Sequence, residues 1–306
     1  VLSVVIPTYN RAARLRLTLT CLFSLVSEEA PETEIIVVND GGAEDIRSIA
    51  HHVAKPFPGQ RVKVFEIAHL GRSAGRNFGA RQATGKRILF LDDDVLVTPG
   101  LLKCHLRYVK GNKRALVRGG ILYLPWLSAF DDPAIGTLTP KAQRSLTSKG
   151  QPSPKGLLSR RVQLNERGFL HESVASLARM SKFERDLHAW LKSDLAEFEG
   201  RWIASTGAHL SIDQESFNAL CGFDEEMGLR WGAEDLEFGY RAQEAHIPIL
   251  YAEDAIVYHM DTDASGREID HKYALSYFAR KHNDPKVLRL ISYFAHECPL
   301  AEVFAA

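Results

Sequence analysis

Along the first 125 residues, short runs rich in Val, Ile and Leu alternate with stretches whose apolar positions recur every three or four residues. The runs are Leu2–Ile6, Ile35–Val38, Val62–Ile67 and Ile88–Leu91. Continuous apolar runs of that length suit strands buried on both faces of a parallel sheet. The helical stretches are Ala12–Leu25, with Leu15, Leu19, Leu22 and Phe23 on one face, then Glu44–Val53 and Ser73–Thr84. Gly71, Gly75, Gly79 and Gly85, with Pro7, Pro31 and Pro99, mark the switches between them. Such alternation predicts an α/β fold, a mostly parallel sheet with helices on both faces. Four units are too few to close a barrel.

From Pro125 to Gly156 the pattern dissolves. Pro125, Pro133, Pro140, Pro152 and Pro154 stand among Ser, Thr and Lys, which predicts a long surface loop. Helical spacing returns over Glu172–Glu199, where Phe183, Leu187, Trp190, Leu191 and Phe198 form a stripe that reads as core packing. Trp202–Ile212 reads as a strand and Gln214–Leu220 as a helix, followed by a turn at Met227–Gly232. Glu234–Ala245 is predicted helical, Ile249–His259 extended, and Tyr273–His282 and Lys286–His296 are terminal helices. No internal repeat is visible.

Composition changes this picture little. The 306 residues are 45% apolar and 25% charged, an ordinary globular balance that excludes a disordered or collagenous chain. Lys plus Arg and Asp plus Glu both number 38, so no net charge draws the chain to nucleic acid or anionic lipid. Cys21, Cys104, Cys221 and Cys298 lie far apart without metal-ligand spacing, and read as free thiols in a reducing compartment. No apolar run approaches the roughly 20 residues that span a bilayer. The chain opens at Val1 inside a strand-like run without a signal peptide, and a soluble, cytoplasmic protein is the expectation.

Five constellations carry candidate chemistry. Asp92-Asp93-Asp94 follows the buried run Ile88–Leu91, at the strand end where open α/β sheets place their ligands. In an extended backbone Asp92 and Asp94 point the same way and suit a hard divalent cation, though a solvated acidic turn explains them equally well. Asn39-Asp40-Gly41-Gly42 ends another strand. It is either a ligand-facing Asp40 or an ordinary turn. Gly71 to Gly79 looks like a phosphate loop but lacks the P-loop Gly-Lys-Ser/Thr. Its Arg76 reads as a phosphate or carboxylate partner, or as an exposed arginine. Glu234 and Asp235 open a helix after Trp231-Gly232-Ala233, and either complement its dipole or accept a proton. His259 ends the Ile249–His259 run; a lone histidine is usually structural, but this place keeps it open as a metal ligand.

Taken in order, these elements resemble inverting glycosyltransferases of the GT-A fold, most closely glycosyltransferase family 2. The resemblance rests on Val4-Val5-Ile6-Pro7-Thr8-Tyr9-Asn10-Arg11, Ile36-Val37-Val38-Asn39-Asp40-Gly41, Gly75-Arg76-Asn77-Phe78-Gly79 and Phe90-Leu91-Asp92-Asp93-Asp94. In the second half it rests on Gly207-Ala208-His209-Leu210-Ser211-Ile212, Gly222-Phe223-Asp224-Glu225, Trp231-Gly232-Ala233-Glu234-Asp235 and His259. The Trp231–Asp235 block also resembles β-1,4-galactosyltransferase-like and polypeptide N-acetylgalactosaminyltransferase-like enzymes, a hint of a galactose-type donor.

The resemblance implies a Rossmann-like nucleotide-sugar half at 1–124, an acceptor-shaping insertion at 125–200, an acceptor and catalytic half at 201–262, and a lid with terminal helices at 263–306. Pro7, Thr8, Tyr9, Arg11, Asp40, Arg76, Asp92 and Asp93 would bind the nucleotide. Asp94 and His259, with Asp92, would hold Mn²⁺ or Mg²⁺. Asp235 would be the general base with Glu234 as fallback, and Trp231 and Gly207 would face the acceptor. The implied reaction moves a sugar from a nucleotide diphosphate sugar, UDP-linked first, to the hydroxyl of a glycan, glycosylated small molecule or glycopeptide. The stretches Asp261–Asp270 and Pro125–Gly156 would close over donor and acceptor. A sugar-1-phosphate nucleotidyltransferase is the competing enzyme class, but Pro7-Thr8-Tyr9-Asn10 stands where it needs a glycine-rich loop. A non-catalytic nucleotide-sugar-binding protein is the third reading.

Overall fold

The computed structural model describes residues 1–107, 114–146, 156, 158–192, 200–262 and 266–304. Its first half is a run of strand–helix units: β1 (Leu2–Thr8), α1 (Ala12–Glu29), β2 (Glu34–Asp40), α2 (Ile46–Ala54), β3 (Arg61–Ile67), α3 (Arg72–Gln82) and β4 (Arg87–Leu91). There follow β5 (Val95–Val97), α4 (Leu101–Arg107) and β6 (Leu116–Tyr123). Every residue of β1, β2 and β4 is buried, as continuous apolar runs demand. On β1, Val4 and Ile6 enter the core beneath α1, α2 and α4, while Val5 enters the opposite core with Ala80 of α3. Helices on both faces follow from that alternation.

The segment after β6 is more structured than its composition predicts. A 3₁₀ turn at Pro125–Ala129 leads into the hairpin β7 (Phe130–Asp132) and β8 (Thr137–Leu138), then α5 (Pro140–Leu146). Among the described residues the expected helix Glu172–Glu199 is two helices, α6 (Glu172–Ala175) and α7 (Lys182–Leu191). Ser181 caps the second by accepting the Glu184 N–H. Leu187 and Trp190 of the predicted stripe are core, whereas Phe198 lies outside the described residues. Residues 147–155 of the expected loop lie outside them too.

The expected strand Trp202–Ile212 is a 3₁₀ helix, Arg201–Ser205, joined to β9 (His209–Asp213). Trp202, Ile203 and Ala204 are buried whatever their backbone does, so their apolarity does not discriminate. The chain then forms α8 (Gln214–Ala219), α9 (Glu234–Glu244), β10 (Ile249–His259), α10 (Arg267–His282), α11 (Lys286–Phe294) and α12 (Leu300–Phe304).

One sheet of eight strands collects both halves in the order β3-β2-β1-β4-β9-β6-β10-β5. The pairings β3-β2, β2-β1, β1-β4 and β6-β10 are parallel. β9 is antiparallel to both β4 and β6, and β5 is antiparallel to β10. The chain reverses direction of travel across the sheet between β1 and β4, so their carboxyl ends open a crevice at a topological switch point. All four cysteines are free thiols, as expected. Among the described residues no helix is long and apolar enough to cross a membrane.

Candidate active site

The crevice is a cleft of about 810 Å³ lined by residues from Pro7 to Phe294. At the end of β1 the Thr8 hydroxyl donates to Asp93 Oδ2 at 2.6 Å, while Tyr9 stays half-exposed and stacks on His69 with ring centroids 3.9 Å apart and planes at 10°. At the end of β2, Asp40 Oδ1 accepts the Leu70 N–H at 2.8 Å. Its Oδ2 accepts the Gly71 N–H at 2.9 Å and stands 2.9 Å from His69 Nδ1. Asp40 thus builds the turn that carries His69, and Tyr9 and His69 form an aromatic shelf at the mouth. His69 escaped the sequence reading, although a histidine just past the end of β3 was its available signal.

The acidic run divides by side. Asp93 turns inward to Thr8 and Arg11, and burial pushes it up to about 6 against the pull of Arg11. Asp92 and Asp94 face His259, each of the three offering a ligand atom within 4.8 Å of the others. His259 Nε2 lies 3.4 Å from Asp94 Oδ1 and its Nδ1 lies 3.2 Å from Asp261 Oδ1. Burial disfavours a charged ring, yet Asp94 and Asp261 raise its pKa. Arg11 Nη1 donates to Asp94 Oδ2 at 2.6 Å. Arg14, buried within α1, donates to the carbonyls of Leu127, Phe130 and Asp261, fastening the loops that flank His259. Two carboxylates and an imidazole with a further carboxylate beside it are a donor set that fits Mn²⁺ or Mg²⁺.

Arg76 joins the two halves. It is buried, donates from Nη2 to Asp92 Oδ1 at 2.9 Å and from Nη1 to Glu234 Oε1 at 2.8 Å, and lies over the Phe223 ring. The glycines around it serve packing. A Cβ at Gly79 would sit 2.3 Å from Val5 Cγ1, so α3 presses directly on β1. Gly71 precedes the helix with φ of +96°, where a Cβ would meet the Gly228 carbonyl. Gly71 lies in the cleft wall, whereas Gly79 does not, so the two do not form a phosphate loop together.

Helix α9 delivers the remaining carboxylates after a strained turn, in which buried Ala233 has φ of +64°. Glu234 is taken by Arg76, with Arg72 3.6 Å away. Although burial favours its neutral form, these arginines hold it below the usual range. Asp235 points elsewhere. Its Oδ2 accepts the Gly207 N–H at 2.9 Å and its Oδ1 the Leu236 N–H at 2.8 Å. Burial and the Glu234 charge push it up to about 6. The two neighbouring carboxylates are thus driven apart in pKa, and of the two Asp235 can accept a proton closer to neutrality.

Trp231 stands against His271, ring centroids 5.3 Å apart, with the Arg267 guanidinium over the Trp231 ring 5.3 Å from its centroid. Arg267 and His271 come from α10, which begins at Arg267 rather than at Tyr273. Residues 263–265 of the expected lid lie outside the described residues. From the insertion, Arg179, Met180 and Ser181 reach the cleft wall. Every predicted site residue therefore lines or borders one cleft, Asp92, Asp94, His259, Glu234 and Asp235 included.

A switch-point crevice in a two-sided sheet, with a divalent-cation donor set facing a helix that opens on paired carboxylates, defines the GT-A class. The chain belongs to glycosyl transferase family 2, whose family model matches residues 3–161. The uncharacterized glycosyltransferase YibD of Escherichia coli K12 is 39% identical over 98 residues, 32% of this chain and 27% of that protein. The validoxylamine A glucosyltransferase of Streptomyces hygroscopicus subsp. jinggangensis is 28% identical over 83% of this chain and 54% of its own. The match thus spans only about a quarter to a half of these relatives' lengths. Among solved structures, a mannosyltransferase from Pyrobaculum calidifontis in complex with GDP-Man and Mn²⁺ aligns with a TM-score of 0.57 at 14% identity, covering 95% of this chain and 68% of that one. TarS 1–349 of S. aureus in complex with UDP-GlcNAc aligns at 0.54 and 16%, covering 95% and 71%. These likenesses show the shared fold.

Proposed function

We propose that this protein transfers a sugar from a nucleotide diphosphate sugar to an acceptor hydroxyl by a single, inverting displacement with Asp235 as general base. The observation that carries the reading is the pairing of Asp235 and Glu234, driven to opposite protonation behaviour in the same cleft as Asp92, Asp94 and His259. Asp235 takes the acceptor O–H proton on a carboxylate oxygen. The acceptor oxygen then bonds to the anomeric carbon as the bond to the diphosphate breaks on the opposite face. Two backbone N–H groups aim the base, so little reorganisation accompanies the transfer. Mn²⁺ or Mg²⁺ held by Asp92, Asp94 and His259 would supply positive charge for the departing diphosphate.

The donor we propose is a UDP-sugar. Tyr9 on His69 offers a face for the nucleobase beside Asp40, and Arg11 and Arg76 bring positive charge to Asp94 and Asp92 in the same cleft. TarS, with the same fold, was solved with UDP-GlcNAc, while the Pyrobaculum enzyme was solved with GDP-Man. The acceptor we propose is a glycan, a glycosylated small molecule or a glycopeptide lying against Trp231 and Gly207, with the wall Arg179–Ser181 shaping its site.

The test supplies UDP-, GDP- and dTDP-sugars with Mn²⁺ and follows release of the nucleoside diphosphate. Asp235→Asn is expected to bind UDP as the parent does and to lose about 10²–10⁴-fold in turnover. A variant that keeps most of its turnover removes Asp235 as base. Pyrophosphate release from UTP and a sugar phosphate would instead identify a nucleotidyltransferase.

A further inference from the structure

Arg118 of β6 is fully buried beneath the cleft, where an unpaired guanidinium would be costly. Glu184 of α7, also buried, takes both terminal nitrogens: Nη1 donates to Oε2 at 2.9 Å, and Nη2 donates to Oε1. Glu184 Oε2 also accepts the Ile121 N–H at 3.4 Å. The remaining nitrogen, Arg118 Nε, gives its hydrogen to the Thr206 carbonyl at 2.8 Å. That oxygen and the Gly207 N–H are two ends of one peptide plane, and the Gly207 N–H is the group that holds Asp235 Oδ2 at 2.9 Å. A continuous line of hydrogen bonds therefore runs from α7 through β6 and a single peptide to the proposed base.

A buried ion pair contributes little net stability compared with apolar side chains of the same size, so packing alone does not explain this one. Its geometry does. A guanidinium gripped by a two-pronged carboxylate has a fixed plane, and its third donor then fixes the tilt of the peptide. The other groups acting on Asp235 are the Leu236 N–H and Glu234 on its own helix and Arg76 from α3. The Gly207 N–H is the group joined to α7, through the Thr206 carbonyl, Arg118 and Glu184.

We propose that Arg118 and Glu184 are positioning residues for Asp235: they set the Thr206–Gly207 peptide so that its N–H aims the base, and helix α7 is thereby part of the catalytic geometry. The inference rests on the reading of Asp235 as base. It assigns a role to the stretch 125–200 at Glu184, a residue beyond the 3–161 span matched by the family model.

Three proteins are compared with the parent: Glu184→Gln, a double variant with Arg118→Met and Glu184→Leu, and Asp235→Asn. The first readout is the carboxyl titration of Asp235 by ¹³C NMR of aspartate-labelled protein, its signal assigned by its loss in Asp235→Asn. This needs no substrate. Loosening the Gly207 N–H removes a donor that favours the ionised form, so the midpoint should move upward in both pair variants. The second readout is UDP release from UDP-GlcNAc with Mn²⁺. Here kcat should fall about 10–100-fold, the loss expected of a displaced catalytic group, while KM and the affinity for UDP stay within about twofold. A merely structural role would lower the melting temperature and leave the titration where it was. A folded pair variant with the parent's midpoint and kcat overturns the proposal, and either variant decides if the other fails to fold. If Asp235→Asn itself turns over normally, the base assignment falls. If Asp235→Asn is inactive and the pair variants behave as parent, only the positioning role falls.

Discussion

Glu234 and Asp235 are consecutive on α9, yet Arg72 and Arg76 keep the first ionised while burial beside the first pushes the second up to about 6. As the proposed base, Asp235 works as the carboxylate. Turnover per unit substrate should therefore be flat above pH 6 and fall about tenfold per pH unit below it. Glu234→Gln removes the like charge that raises Asp235, so the acid limb should move to lower pH; a pH profile of kcat/KM in which it stays or rises would contradict this cause. At this scale the sequence was readable wherever polar residues follow an apolar run: Asp40, Asp92, Asp94 and His259 all stand at strand ends. Arg118 was not readable. A charged residue inside Leu116–Tyr123 looks like an interruption of a strand, and only the fold reveals Glu184 opposite it.

The elements are held by contacts that leave almost no slack. Ala at position 79 would gain up to about 1 kcal/mol of helix propensity. Its Cβ would also stand 2.3 Å from Val5 Cγ1 and 3.2 Å from Val38 Cγ2, and overpacking costs about 1–3 kcal/mol. The clash should win, and Gly79→Ala should lower the urea midpoint. Glu34 ties three strands and the turn before β4: it accepts from Lys63 at 2.8 Å, Ser3 at 2.6 Å and Thr84. Against the effect of burial, these donors lower it from 4.5 to about 2. A depressed carboxylate stabilises the folded state above its unfolded pKa, and that stability is lost as pH falls from 4.5 toward 2. The contribution is on the order of 2–3 kcal/mol. Glu34→Gln should flatten the fall in stability across that window, measured by urea unfolding at stepped pH. Strands buried on both faces were legible at β1, β2 and β4, where apolarity is the only requirement; Val62–Ile67 reads the same way but falls in the edge strand β3, where only Val64 is buried. Trp202–Ile212 was misread for the same reason: complete burial erases the period that separates a strand from a 3₁₀ helix. The helix break between α6 and α7 was missed because the stripe on α7 was carried through it.

For the molecule as a whole, the cleft draws on both halves of the chain, so ligands that bridge them should stabilise the whole. UDP with Mn²⁺ at about 100 times the dissociation constant should add about 2.7 kcal/mol and raise the melting temperature by several degrees. Asp94→Ala should abolish the Mn²⁺-dependent part of that rise; an unchanged rise in this variant would place the ion elsewhere. The convergence of residues 92–94, 235 and 259 follows from sheet order, which no local pattern encodes. What the sequence did carry was the succession of blocks, and that succession is shared with glycosyl transferase family 2 over residues 3–161.

β9 lies between β4 and β6, hydrogen-bonded to both, although more than eighty residues separate it from either. A chain shortened at the end of the family match would keep the two neighbours and lose the slat that joins them. β4 would then bare one rim of peptide groups and β6, which loses β10 as well, would bare both of its own, each an invitation to stick to another copy. The portion most easily recognised is thus not a portion that can be lifted out, and any cut meant to isolate donor binding has to carry β9 with it.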